Sequence, residues 1–118
     1  MATYLVLIYG VEEAWEAMSD QEKEKHAAGH RNLVAAAGPA VLDTYELESV
    51  GLATTLRTDD NGGVVVLDGP AGDGEAVIGG LYVIEAPDYE TVTGLAKHLY
   101  EAAAGHSAVE IRRVAGAQ

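Results

Sequence analysis

Three short runs of this chain are apolar on both parities, and that restricts the folds open to it. In Thr3 to Tyr9 (TYLVLIY), Tyr4, Val6 and Ile8 point one way and Leu5, Leu7 and Tyr9 the other. A strand sends successive side chains to opposite faces, so a run of this kind is buried on both. Val64 to Asp68 (VVVLD) and Ile78 to Glu85 (IGGLYVIE) read the same way. Whatever sheet these strands make must be covered on two sides.

The rest of the chain supplies cover for only one. Ser19-Asp-Gln-Glu22 is a capping box that opens a helix, with His26, His30, Leu33, Val34 and Ala37 spaced by three or four along one stripe. Gly38-Pro39 ends it, glycine as the left-handed cap and proline because it cannot continue the turn. Just before it, Val11 to Met18 reads as a helical turn or two carrying Trp15. A second helix starts at Pro87-Asp88, places Val92, Leu95, Ala96, Leu99 and Ala103 inward, and is closed by Gly105. Ala40 to Glu48 is extended, with Val41, Leu42, Tyr45 and Leu47 partly buried. Ala53 to Thr58 and Val64 to Asp68 flank the turn sequence Asp59-Asp-Asn-Gly-Gly63 and form a hairpin. Gly69 to Ala76 is a glycine-rich acidic loop, and Ala108 to Val114 the last strand.

Strand, helix, two or three strands, helix, strand is the split β-α-β order of an α+β, ferredoxin-like fold, an antiparallel sheet with both helices on one face. Apolar sheet left in water costs roughly 25 cal/mol per Å2. A second copy of the same sheet is the simplest cover for the other side. The chain is therefore predicted to form a homodimer through the open sheet face, with a cavity between or beside the sheets.

Composition narrows the partners. One domain spanning residues 1–118 is expected from the length. With 19 acidic and 7 basic residues, a net charge of −12, the chain lacks the basic face that nucleic acid or an anionic membrane requires. The absence of cysteine removes disulfides, thiolate chemistry and iron–sulfur clusters. No run approaches the ~20 apolar residues of a membrane span, and the first strand has neither the basic flank nor the cleavage pattern of a signal peptide. A cytoplasmic protein with a small-molecule ligand is the expectation.

Among residues that could carry chemistry, His26 and His30 lie four apart on the inward stripe of the first helix. Imidazole titrates nearest neutral pH, so either could act as a general base, and either could equally be a helix-edge histidine satisfied by a carboxylate. The pair gives a metal only two nitrogens, and Ala27 stands where a metalloprotease helix carries glutamate, so no metal and no cofactor is assigned. Asp68 ends an apolar strand and begins Asp68-Gly69-Pro70; it either terminates the strand as an Asx turn or orients a histidine. Arg57 can pair with a carboxylate or face solvent, and Tyr9, Tyr82 and Trp15 suit a core or a pocket wall. His98 and His106 read as surface or capping residues. The loop from Gly69 to Glu75 has neither the spacing nor the lysine of a phosphate cradle.

Several segments together resemble the YCII-related proteins, in particular the branch named for a D-G-P-F motif. They are Tyr4 to Gly10, Ser19 through Gly38 with His30, Ala53 to Arg57, Leu67-Asp-Gly-Pro70, Gly79-Gly-Leu-Tyr-Val-Ile84 and Val109 to Arg112. The resemblance implies a ferredoxin-like dimeric α+β barrel and an active-site pair, here His30 and Asp68. It also implies a small-molecule enzyme or a companion of an extracytoplasmic-function sigma factor. The family motif continues Phe-Ala-Glu-Thr-Lys; this chain has Ala71-Gly-Asp-Gly-Glu75, which opens that end of the site and makes it more acidic.

The resulting expectation is cofactor-independent proton transfer on an oxidised cyclic metabolite, giving isomerisation, elimination or ring closure. His30 moves the proton, Asp68 fixes its tautomer, and His26, Tyr9, Tyr82 and Arg57 line the substrate site. The alternative is a non-catalytic binding or regulatory module that engages a sigma factor through its acidic surface.

Overall fold

A computed structural model describes residues 1–116. Strand β1 (Ala2–Val11) leads through helix α1 (Glu12–Glu16) into helix α2 (Asp20–Ala37) and strand β2 (Val41–Glu46). Strands β3 (Thr54–Thr58) and β4 (Val64–Asp68) follow, then strand β5 (Ala76–Ala86), helix α3 (Tyr89–Ala96) and strand β6 (Ser107–Arg113). The main sheet has the order β2-β5-β1-β6, antiparallel at every pairing. This is the α+β, ferredoxin-like arrangement.

The two faces of the sheet are built differently. Tyr4, Val6 and Ile8 of β1 and Tyr82, Ile84 and Ala86 of β5 are buried with Leu33 of α2, Val92 and Ala96 of α3, and Leu99. On the opposite face Leu5 lies across from Val83 and Leu7 across from Leu81. Of these, Leu5, Leu81 and Val83 are only half-buried. The expectation of burial on two faces is met for β1 and β5 on the helix side, while the other side is only partly covered within the chain.

It does not hold for β4, which was expected to be buried on both sides. β4 pairs only with β3, in a separate two-stranded sheet, and Val64 and Val66 are exposed. The turn sets the β3–β4 pairing. Asp59 Oδ1 accepts from the Asn61 and Gly63 amides at 2.8 and 2.7 Å, and Gly62 adopts φ 82°. The chain folds tightly back on itself, so β4 takes β3 as its ladder partner, as the turn sequence predicts, and the pair stands as a sheet of its own.

Helix signals were accurate at their starts and less so further on. The Ser19 hydroxyl accepts from the Glu22 amide at 3.1 Å while Glu22 accepts from the Ser19 amide at 3.3 Å, completing the capping box. Asp88 caps α3 by accepting from the Thr91 amide at 2.8 Å. The buried stripe of α2 is narrower than expected: Gly29 and Leu33 are buried, while Val34 is exposed. Leu42, Tyr45 and Leu47 are likewise exposed rather than partly buried.

The second helix ends at Ala96, well short of Gly105. Its chain then passes through Leu99 in an extended conformation (φ −68°, ψ 131°), which drops that side chain into the core, and closes a tight turn at Tyr100–Ala102. Packing against α2 causes the break. A Cβ on Gly29 would lie 2.6 Å from the His98 carbonyl and 2.9 Å from the Tyr100 amide, so the two backbones meet there.

Candidate functional site

That close approach assembles the most polar cluster in the interior. Gly29 immediately precedes His30 and lies three residues after His26 on α2, and the Tyr100–Ala102 turn packed on it carries Glu101, the one buried charged residue among the described residues. The Glu101 carboxylate reaches His26 Nε2 at 2.9 Å and His30 Nε2 at 3.0 and 3.1 Å. On its other side His30 Nδ1 lies 2.6 Å from the Tyr82 hydroxyl, a residue of β5. Tyr100 ties the turn to the start of α2 by donating to Glu22 Oε2 at 2.7 Å.

Elementary hydrogen-bond accounting fixes the protons. Burial, the largest single influence, pushes the Glu101 carboxyl up, but the hydrogen bond and charge of His30, with the charge of His26, outweigh it and hold the group below its ordinary range. An ionised carboxylate only accepts, so both Nε2 atoms donate to it. In the neutral form of His30 the Nδ1 atom is then bare and accepts from the Tyr82 O–H; in the imidazolium form Nδ1 donates to the Tyr82 oxygen. Burial, then the Glu101 charge, raise the Tyr82 pKa, so the phenol remains a donor at neutral pH. The result is an ordered chain, Tyr82 to His30 to Glu101, with His26 as a second donor to the carboxylate.

The chain of groups lines a cavity of about 600 Å3. Its walls include Ile8, Trp15, Met18, Thr44, Tyr45 and the strand segment Gly79–Tyr82. Trp15 is seated by glycine: a Cβ at Gly10 or Gly79 would fall 2.2 or 2.5 Å from its ring, and its Nε1 donates to Ser107 Oγ at 3.0 Å. The cavity therefore has an aromatic and aliphatic wall facing a polar one, the usual composition of a small-molecule site.

A model of the YCII-related domain matches residues 2–115. The chain belongs to the YCII-related family. No curated protein matches it. Among its described residues, no helix is long and apolar enough to cross a membrane.

Of the site residues read from the sequence, the YCII-related fold brings together His26, His30 and Tyr82. It does not bring Asp68 to His30 within the chain. Asp68 is exposed at the end of β4, opposite Thr54 in the hairpin, because that hairpin stands apart from the main sheet. The carboxylate on His30 is Glu101. Arg57, also in the hairpin, donates to the Ala71 carbonyl, and Tyr9 donates to Glu110 at 3.0 Å beside a separate hollow of about 280 Å3. Neither lines the larger cavity.

Glu101 escaped the sequence reading because a helix running to Gly105 keeps it off the inward stripe of Val92, Leu95, Ala96, Leu99 and Ala103. The sequence carries no clear mark of the break: Thr91, Thr93 and Gly94, which lower helix propensity, all lie within the helix that forms.

Proposed function

We propose that this YCII-related protein is a small-molecule enzyme that catalyses proton transfer at carbon, with His30 as the base. One observation carries the reading: His30 is held between a buried carboxylate and a phenol on the wall of a cavity large enough for a cyclic metabolite. Glu101 takes the part expected of Asp68. It fixes the tautomer that leaves Nδ1 bare and stabilises the imidazolium once the proton has moved.

In this mechanism a substrate carbon acid takes the place of the Tyr82 hydroxyl at Nδ1. The displaced O–H turns to the oxygen that gains charge as the C–H bond breaks, and donates to the developing enolate. The proton returns from the imidazolium to another carbon for isomerisation, or an electron pair expels a leaving group for elimination. General base catalysis of this kind contributes about 10²–10⁴-fold. The substrate class is an oxidised cyclic compound whose acidic C–H lies next to a carbonyl. The DGPF branch and a cytoplasmic homodimer complete the reading: a second copy would shield Leu5, Leu81 and Val83.

The test is solvent exchange. Cyclic enol lactones, cyclic diketones and hydroxyquinones are incubated with the protein in D2O and followed by proton NMR. Deuterium uptake with wild type, abolished in His30→Ala and strongly reduced in Tyr82→Phe at unchanged circular dichroism, is the expected pattern. Equal uptake by wild type and His30→Ala would refute the mechanism.

A further inference from the structure

We infer that His26, His30 and Glu101 form a binding site for one divalent transition-metal ion of the zinc class. The sequence offered a metal only two nitrogens, four residues apart on a helix. The tertiary structure adds the third donor, a carboxylate oxygen from a segment about seventy residues away, and places one ligand atom of each residue within 4.8 Å of the others. Glu101 Oε2 stands 2.9 Å from His26 Nε2 and 3.0 Å from His30 Nε2. An ion bonded to each donor at about 2.0–2.2 Å needs neighbouring ligand atoms roughly 3.0–3.5 Å apart, so small side-chain adjustments suffice.

Three further features favour a cation. Glu101 is buried, and with neutral histidines the cluster carries one negative charge inside a chain of net charge −12. Tyr82 is the outer partner such a ligand needs: once Nε2 binds metal, the His30 proton resides on Nδ1 and is donated to the Tyr82 oxygen at 2.6 Å. Two histidines and one carboxylate leave coordination positions open on the cavity side, as in catalytic rather than structural zinc sites. Nitrogen donors select zinc, cobalt or nickel over magnesium and calcium, which prefer all-oxygen sets.

A bound ion occupies the two Nε2 positions that otherwise carry protons, so metal-loaded and proton-loaded forms are alternatives. The inference uses the residues of the proposed active site but does not rest on proton transfer there.

Untagged full-length protein, stripped with EDTA and dialysed, is titrated with ZnCl2 by calorimetry and with CoCl2 by visible absorption. One ion per chain is expected, with a cobalt spectrum of low coordination number and no response to MgCl2. His26→Ala, its native fold checked by circular dichroism, should weaken zinc binding at least about 100-fold. Tyr82→Phe should weaken it by about 10–100-fold. No saturable binding, or unchanged affinity in natively folded His26→Ala, overturns the inference. Deuterium exchange by protein that binds no zinc would overturn this inference alone. Zinc binding without exchange would overturn the proton-transfer reading alone.

Discussion

Two glycines, both inside helices, should respond to the same substitution with opposite signs. Gly94 lies in α3 with nothing within 4 Å of an added Cβ, so Gly94→Ala should gain about 0.5–1 kcal/mol from helix propensity alone. Gly29 in α2 would gain the same propensity but meets backbone on the far side, 2.6 Å from the His98 carbonyl and 2.9 Å from the Tyr100 amide. Ordinary contact at about 3.4 Å requires the neighbouring segment to retreat by about 0.8 Å. Either it stays and the core bears about 1–3 kcal/mol of overpacking, or it moves and Glu101 leaves its histidines. Hydrogen bonds of 2.9–3.1 Å do not survive a shift of that size, and charged ones contribute about 1.5–3 kcal/mol. After the propensity gain, Gly29→Ala should lose about 2 kcal/mol. The two variants should therefore be separated by about 3 kcal/mol, read as urea midpoints at constant m-value. Gly29→Ala should also weaken zinc binding, because the turn carrying Glu101 is displaced. A Gly29→Ala protein as stable as wild type would show that the helix contact is not tight, and the account of how the site is assembled would fail.

Gly79→Ala should push Trp15, the only tryptophan, off the cavity wall, shifting its fluorescence emission and costing about 1–3 kcal/mol in denaturant titration. Asp88 is held below its ordinary value of 3.8, first by the side-chain hydrogen bond from Thr91 and then by the backbone one. A depressed carboxylate stabilises the fold above its unfolded pKa and ceases to do so as pH falls through the folded one. The thermal-stability gap between wild type and Asp88→Ala should therefore be full at neutral pH and close as pH is taken below 3.8. Sedimentation at micromolar protein should show two chains, and Leu5→Lys on the open sheet face should yield one; a stable, folded wild-type monomer would remove the reason for a second copy.

Local rules settled much of this protein in advance. The Ser19–Glu22 box, the Asp88 cap and the Asp59–Gly63 turn work through atoms a few residues apart, so their signals are complete in the sequence and appear in the structure as read. Runs apolar on both parities marked β1 and β5 as strands with two apolar faces, which the structure puts at the centre of the sheet, and the order of elements pointed to the ferredoxin-like class. The histidine pair was visible because helical spacing puts residues four apart on one face.

The partner of that pair was not visible. Whether His30 meets Asp68 or Glu101 depends on where a hairpin stands and where a helix breaks, and neither is set by neighbours in the chain. β4 has the composition of a buried strand, yet its turn pairs it with β3 alone. The second helix stops at Ala96 because Gly29, some seventy residues earlier, lets another backbone into contact with α2. Periodicity records which face a side chain would occupy if an element continues. Only packing between distant segments decides that it stops, and here that decision puts Glu101 beside the histidines.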